Sequence, residues 1–333
     1  MSAGRQVARP EVAPAALDSP VNPVEVSVVV AVYRCAECLM ALYERLVPVL
    51  ETATESFELV FVDDRSPDDS WDLLLGLAAA DDRVRLVRLS RNFGQHAAIT
   101  AGLAESRGRW AVVMDCDLQD PPEEIPRLLE KGREGYDVVL SRRVRRRQSW
   151  LRRVAGRAYF RVRNFFMRMD MGTDYSSLSL LSRKVVDAFL EVRDRDRQYM
   201  LIVHWLGFER AEIEFEHAER LAGTSSYSMR DLIQVAIEGF FFETTILLRW
   251  IVYLGFGLAF IGLLLAVWFI LAFFLFDPYP GWTSVAVLLL IVGGFIITSL
   301  GVTALYVGKI FGQVKDRPLY VIDTIVENPS RGA

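Results

Sequence analysis

Two pairs of aspartates stand where hydrophobic segments end. Asp63 and Asp64 close the segment ELVFV, and Asp115 and Asp117 follow the segment WAVVM. Carboxylate oxygens suit Mg²⁺ or Mn²⁺, and such ions usually take one or two protein carboxylates and complete their shell with substrate phosphates. Gln119 and Asp120 add further oxygens after Asp117. These spacings predict a divalent-cation site that holds a phosphorylated substrate.

The elements that would carry these aspartates alternate between strand and helix. Apolar, β-branched runs predict buried parallel strands at Val26–Val32, Glu58–Val62, Val84–Leu89 and Trp110–Met114, with helices ending near Leu50 and spanning about His96 to Glu105. This alternation predicts a doubly wound parallel sheet with helices on both faces. Ligands bind such sheets beyond the carboxyl ends of the strands. The alternative, a solvated acidic turn, is less favoured because both acidic pairs fall at strand ends.

Other chemistries find little support along the chain. No G-x-G-x-x-G follows the first strand and no G-x-x-x-x-G-K-[ST] occurs, which argues against a dinucleotide-binding domain and a P-loop ATPase. Cys35 and Cys38 form a C-x-x-C without a second pair or a nearby histidine, so small side chains facing a helix are the favoured interpretation. With Cys116 they are too few for a disulfide framework and indicate a reducing compartment. His96 either approaches a phosphate or caps the chain locally.

The C-terminal third predicts a membrane anchor. The chain combines 24% charged residues with a mean hydropathy of +0.24, which indicates a soluble part joined to a membrane part. Trp250–Phe276 and Pro278–Gly308 contain no charged residue, and each exceeds the ~20 residues needed to span a bilayer. The linker between them lacks Lys and Arg, whereas basic residues flank the pair. The positive-inside rule therefore predicts a two-helix hairpin with both flanks in the cytoplasm.

A basic segment precedes the anchor. Between Arg142 and Arg168 there are eleven arginines and no acidic residue, and apolar residues recur at helical spacing over about 150–169. This pattern predicts a basic amphipathic helix on an anionic membrane surface; the alternative is a helix that covers the core and exposes a basic face. Arginine also binds phosphate in a forked geometry. A second amphipathic stretch at 228–248 predicts an interfacial helix. The net charge of -4 argues against nucleic acid as a partner.

Taken together, these residues resemble a family of membrane enzymes. The stretches that carry the resemblance are VSVVVAVY, ELVFVDDRSPDDSW, LSRNFGQHAAITAGL, VVMDCDLQDPPEEIP, the SRR after DVVL, LLSRKVVDAF and RLAGTSSY. They are similar to the polyprenyl-phosphate glycosyltransferases of glycosyltransferase family 2, a group that includes dolichol-phosphate-mannose synthases, bactoprenol glucosyltransferases and undecaprenyl-phosphate aminoarabinose transferases. The similarity runs from about Val26 to Val326.

The resemblance implies a role for each matching position. The implied donor-binding residues are Ala31, Tyr33, Asp63, Asp64, Gln95, Asp115, Ser225 and Tyr227. The implied ligands of Mg²⁺ or Mn²⁺ are Asp117 and Gln119, with Asp115 beside them. The acceptor phosphate would face Arg142 or Arg143 and Arg152 or Arg153. Asp117, Asp174 and Arg220 are the implied catalytic residues, and Arg220 shares with Ser225 and Tyr227 a loop that closes over the donor.

Three departures from the family pattern bear on the donor. At the first strand end the family often reads P-x-Y-N-E, whereas this chain reads Ala31-Val32-Tyr33-Arg34-Cys35. The glycine usual after the paired aspartates is Arg65, and a lysine common in the G-x-S-K-Y turn is Ser226. The contacts to the nucleotide base therefore differ from the family pattern, and the choice between UDP and GDP stays open.

The expected architecture is an α/β protein with a GT-A (Rossmann-like) glycosyltransferase domain. Its parts are a disordered tail at 1–24, the catalytic domain at 25–227, the interfacial helix, two transmembrane helices within 249–310 and a cytoplasmic tail at 311–333. The resemblance implies metal-dependent, inverting transfer of a sugar from a nucleotide sugar to polyprenyl phosphate by a multi-pass enzyme of the inner cell membrane. It also implies a homo-oligomer such as a tetramer.

Two other functions are weighed against this one. A processive polysaccharide synthase would hold its product with a Q/R-x-x-R-W motif, but Arg249-Trp250 is preceded by Ile246-Leu247-Leu248, so the Gln or Arg is absent. Two spans also make a poor conduit for a polymer. A non-catalytic membrane partner that binds nucleotide sugars is the third reading, disfavoured by the intact set of Asp115, Asp117 and Gln119.

Overall fold

A computed structural model describes residues 24–144, 175–195, 197–216, 246–275 and 281–327. The tail expected at 1–24 lies outside these ranges apart from its last residue. The basic helix expected at 150–169 lies wholly outside them, and so does the interfacial helix expected at 228–248 apart from its last three residues.

The described residues form one eight-stranded sheet and eight helices. The strands are β1 (Val26–Val32), β2 (Phe57–Asp63), β3 (Val84–Leu89), β4 (Trp110–Asp115), β5 (Val138–Val144), β6 (Tyr175–Ser182), β7 (Arg210–Glu216) and β8 (Ile322–Val326). The helices are α1 (Ala36–Ala53), α2 (Ser70–Ala80), α3 (Gln95–Glu105), α4 (Ile125–Arg133), α5 (Arg183–Glu191), α6 (Tyr199–Leu206), α7 (Ile246–Leu275) and α8 (Trp282–Val314). A short 3₁₀ turn, Pro122–Glu124, precedes α4.

The sheet confirms the predicted α/β class and corrects its strand directions. Its order is β7-β5-β6-β4-β1-β2-β3-β8. The four predicted strands, β1 to β4, run parallel to one another. However, β6 lies antiparallel to both β4 and β5, and β8 lies antiparallel to β3, so the sheet is mixed and not wholly parallel. Strand direction depends on distant pairing partners, which local hydrophobic patterns do not report.

Helices cover both faces of the sheet, as predicted. The side chains of α1, α2 and α4 pack with Val28 and Val30 on one face, and those of α3, α5 and α6 pack with Val29 on the other. Alternate residues of β1 serve opposite faces because successive side chains of a strand point to opposite sides. Helix α3 approaches the sheet most closely at Gly102, where an added Cβ would lie 2.3 Å from Val29 Cγ1.

Two long apolar helices, α7 and α8, lie between β7 and β8 in the chain. Among the described residues, Ile291–Val314 of α8 is long and apolar enough to cross a membrane, and none of its most apolar part is buried inside the protein. Ile251–Leu265 of α7 is a shorter apolar stretch. The helices approach one another where Gly255 faces the ring of Phe295. The sequence predicted two membrane spans. Among the described residues, one helix, α8, is long and apolar enough to qualify as a span on length and composition alone.

The segment after α8 returns to the catalytic domain. The sequence predicted a cytoplasmic tail at 311–333, but residues 311–314 still belong to α8 and Ile322–Val326 form β8 at the edge of the sheet. The strand is fastened by ion pairs from Asp323 to Arg65 and from Glu327 to Arg85 and Arg107. Only its two end residues are half-buried and the three between them are exposed, because an edge strand is covered on few sides.

Candidate functional site

The candidate site lies at the carboxyl ends of β4, β1 and β2. Strand β1 lies between the other two, with Ala31 opposite Asp115 on one side and Val32 opposite Asp63 on the other. Neighbouring strands are about 4.8 Å apart, so the two aspartates are roughly 10 Å apart across the sheet. The chain order reverses between β1 and β4, which is where open α/β sheets bind ligands.

The loop after β4 keeps three of its polar side chains partly accessible. Asp115, Asp117 and Gln119 are half-buried, whereas the intervening residues Cys116, Leu118 and Asp120 are buried. Leu118 adopts the left-handed conformation at φ 58°, which helps the chain make this tight turn. The alternation leaves the three predicted metal-site residues partly accessible at the edge of the sheet.

Asp115 is held by a side chain on each oxygen. Gln95 Nε2 donates to its Oδ1 at 2.6 Å, and Ser177 Oγ donates to its Oδ2 at 2.6 Å. The structure thus unites two residues that the sequence assigned separately to the donor, and it adds Ser177 from β6. The buried Asp120 accepts hydrogen bonds from Ser176 and, at 3.4 Å, from Ser177. Ser177 therefore links the two carboxylates on either side of the loop.

Asp63 is engaged with its own protein. Its side chain is 0% exposed; Oδ1 accepts from the backbone N–H of Ser66 at 2.9 Å and Oδ2 accepts from Arg88 Nε at 3.2 Å. The guanidinium of Arg88 also lies 4.7 Å from the ring centroid of Trp71. These contacts tie β2 to β3 and to α2 at the carboxyl edge of the sheet.

Asp64 organises the loop that leads into α3. Its two oxygens accept the backbone N–H groups of Phe93 at 2.7 Å and Gly94 at 2.8 Å. Burial raises the pKa of Asp64, and these two hydrogen bonds offset part of that shift. Because Gly94 directly precedes Gln95, the buried carboxylate also sets where Gln95 begins its approach to Asp115.

The chain after β1 exposes an aromatic ring and a guanidinium group. Ala31 is half-buried and Tyr33 is 42% exposed, with the guanidinium of Arg34 lying 5.4 Å from the tyrosine ring centroid. Aromatic and guanidinium faces both stack on planar rings. Arg34, at φ 55°, and Arg65, at φ 56°, adopt the left-handed conformation in the loops after β1 and β2. Left-handed non-glycine residues thus recur after three neighbouring strands, since Leu118 follows β4.

Arg142 reaches the same edge of the sheet from β5. It lies opposite Tyr175 of β6, and its guanidinium is 3.9 Å from a carboxylate oxygen of Glu214 on β7. Two strand spacings separate β5 from β4, so Arg142 is on the order of 10 Å from the end of β4. The backbone of Arg143 continues β5, and its side chain lies outside the described part of the structure.

Several predicted site residues lie outside the described residues. They are Asp174, Arg152, Arg153, Arg220, Ser225 and Tyr227. Asp174 directly precedes Tyr175, the first residue of β6, whose hydroxyl donates to Glu212. The strand that follows Asp174 therefore begins at the edge that carries Asp115 and Arg142.

The cysteines and the histidine near the site are structural. Cys35, Cys38 and Cys116 are free and buried, and Cys35 Sγ donates to the backbone oxygen of Cys116 at 3.0 Å. Its contact with Cys116 and its burial raise the pKa of Cys35, which disfavours the thiolate form that reacts. The interpretation of the C-x-x-C as small packing side chains is confirmed. His96 Nδ1 accepts from the backbone N–H of Tyr199 at 3.4 Å, which caps α6.

The outward-facing donors of the β4 loop fit a hard divalent cation. Among the described residues, no three His, Cys, Asp or Glu side chains form a group able to hold a metal ion. The oxygens of Asp115, Asp117 and Gln119 make a smaller set, as expected where water and a diphosphate complete the shell. Gln119 also donates its backbone N–H to Asp117 Oδ1 at 3.2 Å, which orients that carboxylate.

Sequence reasoning missed Ser177 and Asp68, and it grouped Asp120 with the oxygens of the cation site without recognising that Asp120 is buried. Ser177 and Asp120 orient Asp115, and Asp68 accepts the backbone N–H of Ala36 at 3.1 Å, so a carboxylate from the β2–α2 loop caps α1. Asp120 stood within the quoted stretch DCDLQD, but its burial depends on β6. Ser177 had no local signal, because a serine in a strand gives no hint of its partners.

Comparisons with known proteins extend along nearly the whole chain. Residues 27–190 match the family described as Glycosyl transferase family 2. The chain is 36% identical over 319 residues to the undecaprenyl-phosphate 4-deoxy-4-formamido-L-arabinose transferase of Serratia proteamaculans. The aligned region covers 94% of this chain and 98% of that protein. It is 33% identical over 303 residues to the uncharacterized glycosyltransferase YkcC of Bacillus subtilis, covering 90% and 93%. These similarities include the apolar helices as well as the sheet.

Solved structures match the sheet domain more distantly. Glucosyl-3-phosphoglycerate synthase from Mycobacterium tuberculosis, in complex with Mn²⁺, UDP-glucose and phosphoglyceric acid, is 16% identical with a TM-score of 0.46. The match covers 66% of this chain and 78% of that chain.

Proposed function

The chain belongs to glycosyltransferase family 2, and from that premise we propose that it transfers one sugar from a nucleotide sugar to a polyprenyl phosphate at a membrane surface. The observation that carries the proposal is the β4 loop, where Asp115, Asp117 and Gln119 face outward at the edge of a GT-A sheet. The acceptor is supported by relatives named undecaprenyl-phosphate 4-deoxy-4-formamido-L-arabinose transferase, which match over nine-tenths of the chain.

The donor would lie across the ends of β1 and β4. Tyr33 and Arg34 are exposed beside this edge and suit the nucleotide base, while Asp115, fixed by Gln95 and Ser177, suits the nucleoside. Asp117 and Gln119 would hold Mg²⁺ or Mn²⁺, which when bound neutralises charge on the leaving diphosphate. Asp63 and Asp64 would act indirectly, by holding in place the loops that form the pocket for the base and the ribose.

The acceptor phosphate is already a nucleophile at neutral pH. It therefore needs little help from a general base, and the main difficulty is to bring two anions together. Arg142 stands at the same edge as Asp115, and Arg143, Arg152 and Arg153 belong to the same basic stretch of the chain. We propose that these guanidinium groups orient the phosphate in their forked geometry. A phosphate oxygen then bonds to the anomeric carbon as the bond to the nucleoside diphosphate breaks, which inverts the configuration.

The remaining predicted residues complete the proposal without a described geometry. Asp174 would contact the sugar or the closing loop near the start of β6. Arg220, Ser225 and Tyr227 would belong to the loop that covers the donor. A homo-oligomer such as a tetramer remains a prediction of the family resemblance.

The return of the chain to the sheet supports a hairpin anchor in the inner cell membrane. Helices α7 and α8 stand between β7 and β8, and both strands belong to the same sheet. A chain that leaves and rejoins one domain crosses the bilayer an even number of times. With Ile291–Val314 as one span, α7 supplies the other, and its 30 residues are about 45 Å long, enough for a ~30 Å hydrocarbon core. The basic flanks then place the catalytic domain in the cytoplasm.

The function is tested by direct product analysis. The purified protein is incubated with undecaprenyl phosphate, a panel of UDP- and GDP-sugars, and Mg²⁺ or Mn²⁺, and the lipids are examined by mass spectrometry. A lipid phosphate carrying one sugar, lost on addition of EDTA, is the expected result and identifies the donor. A polymer would instead support a processive synthase. Nucleotide binding without any product would support a non-catalytic partner.

A further inference from the structure

The loop between α5 and α6 forms hydrogen bonds with the carboxyl-terminal end of the apolar helix α8. Arg195 donates from its guanidinium to the backbone oxygens of Gly312 and Arg317, each at 2.9 Å, and its backbone N–H donates to Gln313 Oε1 at 3.2 Å. Gln313 Nε2 donates in return to the backbone oxygen of Arg193 at 2.9 Å. We call this set of four hydrogen bonds the α8 clasp.

The clasp uses the electrostatics of a helix terminus. The last carbonyl groups of a helix lack partners within the helix and carry partial negative charge, so a guanidinium is stabilising there. Arg197, two residues after Arg195, does the same for α5 by donating to the backbone oxygens of Phe189, at 2.6 Å, and Val192. One loop therefore holds the carboxyl ends of a catalytic-domain helix and of α8.

The clasp lies where α8 ends its apolar segment. Gly312 and Gln313 fall in the last turn of Ile291–Val314, so the catalytic domain is fastened to the helix at the level where it would leave the bilayer. Beyond the clasp the chain turns at Asp316, with φ 46°, and runs into β8. Asp323 of β8 pairs at 2.9 Å with Arg65, the neighbour of Asp64. The helix end is thus joined to the carboxyl edge of the sheet through β8, whose first residue, Ile322, pairs with Leu89 at the end of β3.

We propose that Arg195 is a positioning residue that fixes the height of the active site above the bilayer, so that a membrane-embedded acceptor phosphate meets the donor. The inference rests on the proposed function. A lipid phosphate is confined to the membrane surface, so a catalytic domain held too far from the bilayer, or tilted relative to it, would bind the phosphate less often. An acceptor that diffuses freely in water would not depend on this height.

The test compares two acceptors and three variants. Arg195→Ala removes both guanidinium contacts, Arg195→Lys keeps the charge but loses the fork, and Arg193→Ala retains the backbone oxygen that Gln313 binds. Initial rates are measured with the protein in nanodiscs throughout, once with undecaprenyl phosphate in the same bilayer and once with a short, water-soluble prenyl phosphate added from solution. Hydrogen exchange over 309–317 is followed on the same samples.

Arg195→Ala should raise the KM for the membrane acceptor about tenfold, leave the rate with the soluble acceptor within about twofold, and speed exchange over 309–317. Arg195→Lys should fall between it and the wild type, and Arg193→Ala should match the wild type. An unchanged membrane KM, or an equal loss with both acceptors, would overturn the positioning role. Unchanged exchange in Arg195→Ala would overturn the clasp itself. Absence of transfer by the wild type, in contrast, would overturn the proposed function and with it the role of Arg195 in the reaction.

Discussion

The two acidic pairs of this protein look alike in the sequence and differ in the fold. Asp63 and Asp64 are 0% and 2% exposed, and their four oxygens accept from Ser66, Arg88, Phe93 and Gly94. Asp115 and Asp117 are half-buried on a loop that faces the edge of the sheet. The first pair binds the protein's own loops together, and the second is the pair for which we propose contact with a ligand.

The difference follows from where the hydrogen-bond donors lie. After β2, the backbone N–H groups of Phe93 and Gly94 in the loop before α3, and the guanidinium of Arg88, donate to the buried carboxylates of Asp63 and Asp64. At β4, the donors are the side chains of Gln95 and Ser177, which approach Asp115 from either side and leave its loop at the surface. The hydrogen-bond donors around a carboxylate at a strand end therefore decide whether it holds the protein's own loops or is left accessible to a ligand, and substitutions test this difference.

The largest effect is expected from Asp117→Asn. The substitution keeps the size of the side chain but removes the charge that would hold the metal, so turnover should fall at least about 100-fold. The midpoint of thermal unfolding should stay within about 2 °C of the wild type because the side chain is at the surface of the loop. Sugar transfer and differential scanning fluorimetry on one preparation check both outcomes. A variant that retains most of its turnover would exclude Asp117 as a metal ligand.

Asp64→Ala should act on stability first. It leaves the N–H groups of Phe93 and Gly94 without their acceptor, which should lower the free energy of unfolding by about 1–3 kcal/mol. Denaturant unfolding of the wild type and the variant measures this difference. The matched comparison is Asp117→Asn, whose unfolding should follow the wild type. Equal stability of Asp64→Ala and the wild type would contradict the scaffold role.

The pH dependence sharpens the same contrast. Burial raises the pKa of Asp64, so the folded state binds its proton more tightly than the unfolded state does. The stabilisation that comes from this tighter proton binding is fully present below the pKa of Asp64 in the unfolded state, about 4. It is lost as the pH rises through the pKa of Asp64 in the folded state. The free energy of unfolding of the wild type minus that of Asp64→Asn should therefore decrease as the pH rises from about 3.5 to 6. A constant or increasing difference over this range would be inconsistent with a raised pKa.

A smaller effect is expected from Ser177→Ala. The variant frees one oxygen of Asp115 and loosens its link to Asp120, so turnover should fall about three- to tenfold through a less well-oriented carboxylate. The control is Ser182→Ala at the other end of the same strand. The hydroxyl of Ser182 lies 3.2 Å from Asp137 Oδ1 and is remote from the candidate site. Similar rates for the two variants would show that Ser177 does not orient the site.

The smallest effect is expected from Arg65→Gly. Glycine relieves the left-handed backbone at φ 56°, while the loss of the exposed ion pair with Asp323 costs little. The two effects oppose one another, so the free energy of unfolding should change by less than about 1 kcal/mol. Turnover should remain near that of the wild type. A large loss of activity would reveal a direct contact between Arg65 and the donor.

Local patterns reveal the centre of this fold better than its edges. The strands β1 to β4 are continuous apolar runs because both of their faces are buried, so the sequence predicts them to within a residue or two. Strand β8 is a short edge strand that pairs with β3 across more than 230 residues of chain, and no local pattern distinguishes it from a tail. The antiparallel direction of β6 likewise depends on its pairing with β4.

The candidate site was predictable by residue type and only in part by role. Residues that face outward, such as Asp117 and Gln119, were identified because their spacing after a strand suits a cation. The sequence did not separate Asp63 and Asp64 from them, because the donors that bury the first pair lie some 25 to 30 residues further along the chain. Ser177 and Arg195 escaped notice for the same reason: their partners are remote in sequence.

Metal-dependent nucleotide binding tests the contrast between the two pairs most directly. Calorimetric titration with UDP and with GDP, each with and without Mn²⁺, is carried out on the wild type, Asp117→Asn and Asp64→Asn under conditions where all three are folded. We expect one nucleotide to bind the wild type more tightly with Mn²⁺, Asp64→Asn to retain that enhancement, and Asp117→Asn to lose it. Loss of the Mn²⁺ effect in Asp64→Asn with its retention in Asp117→Asn would place the metal at the first pair and contradict the account.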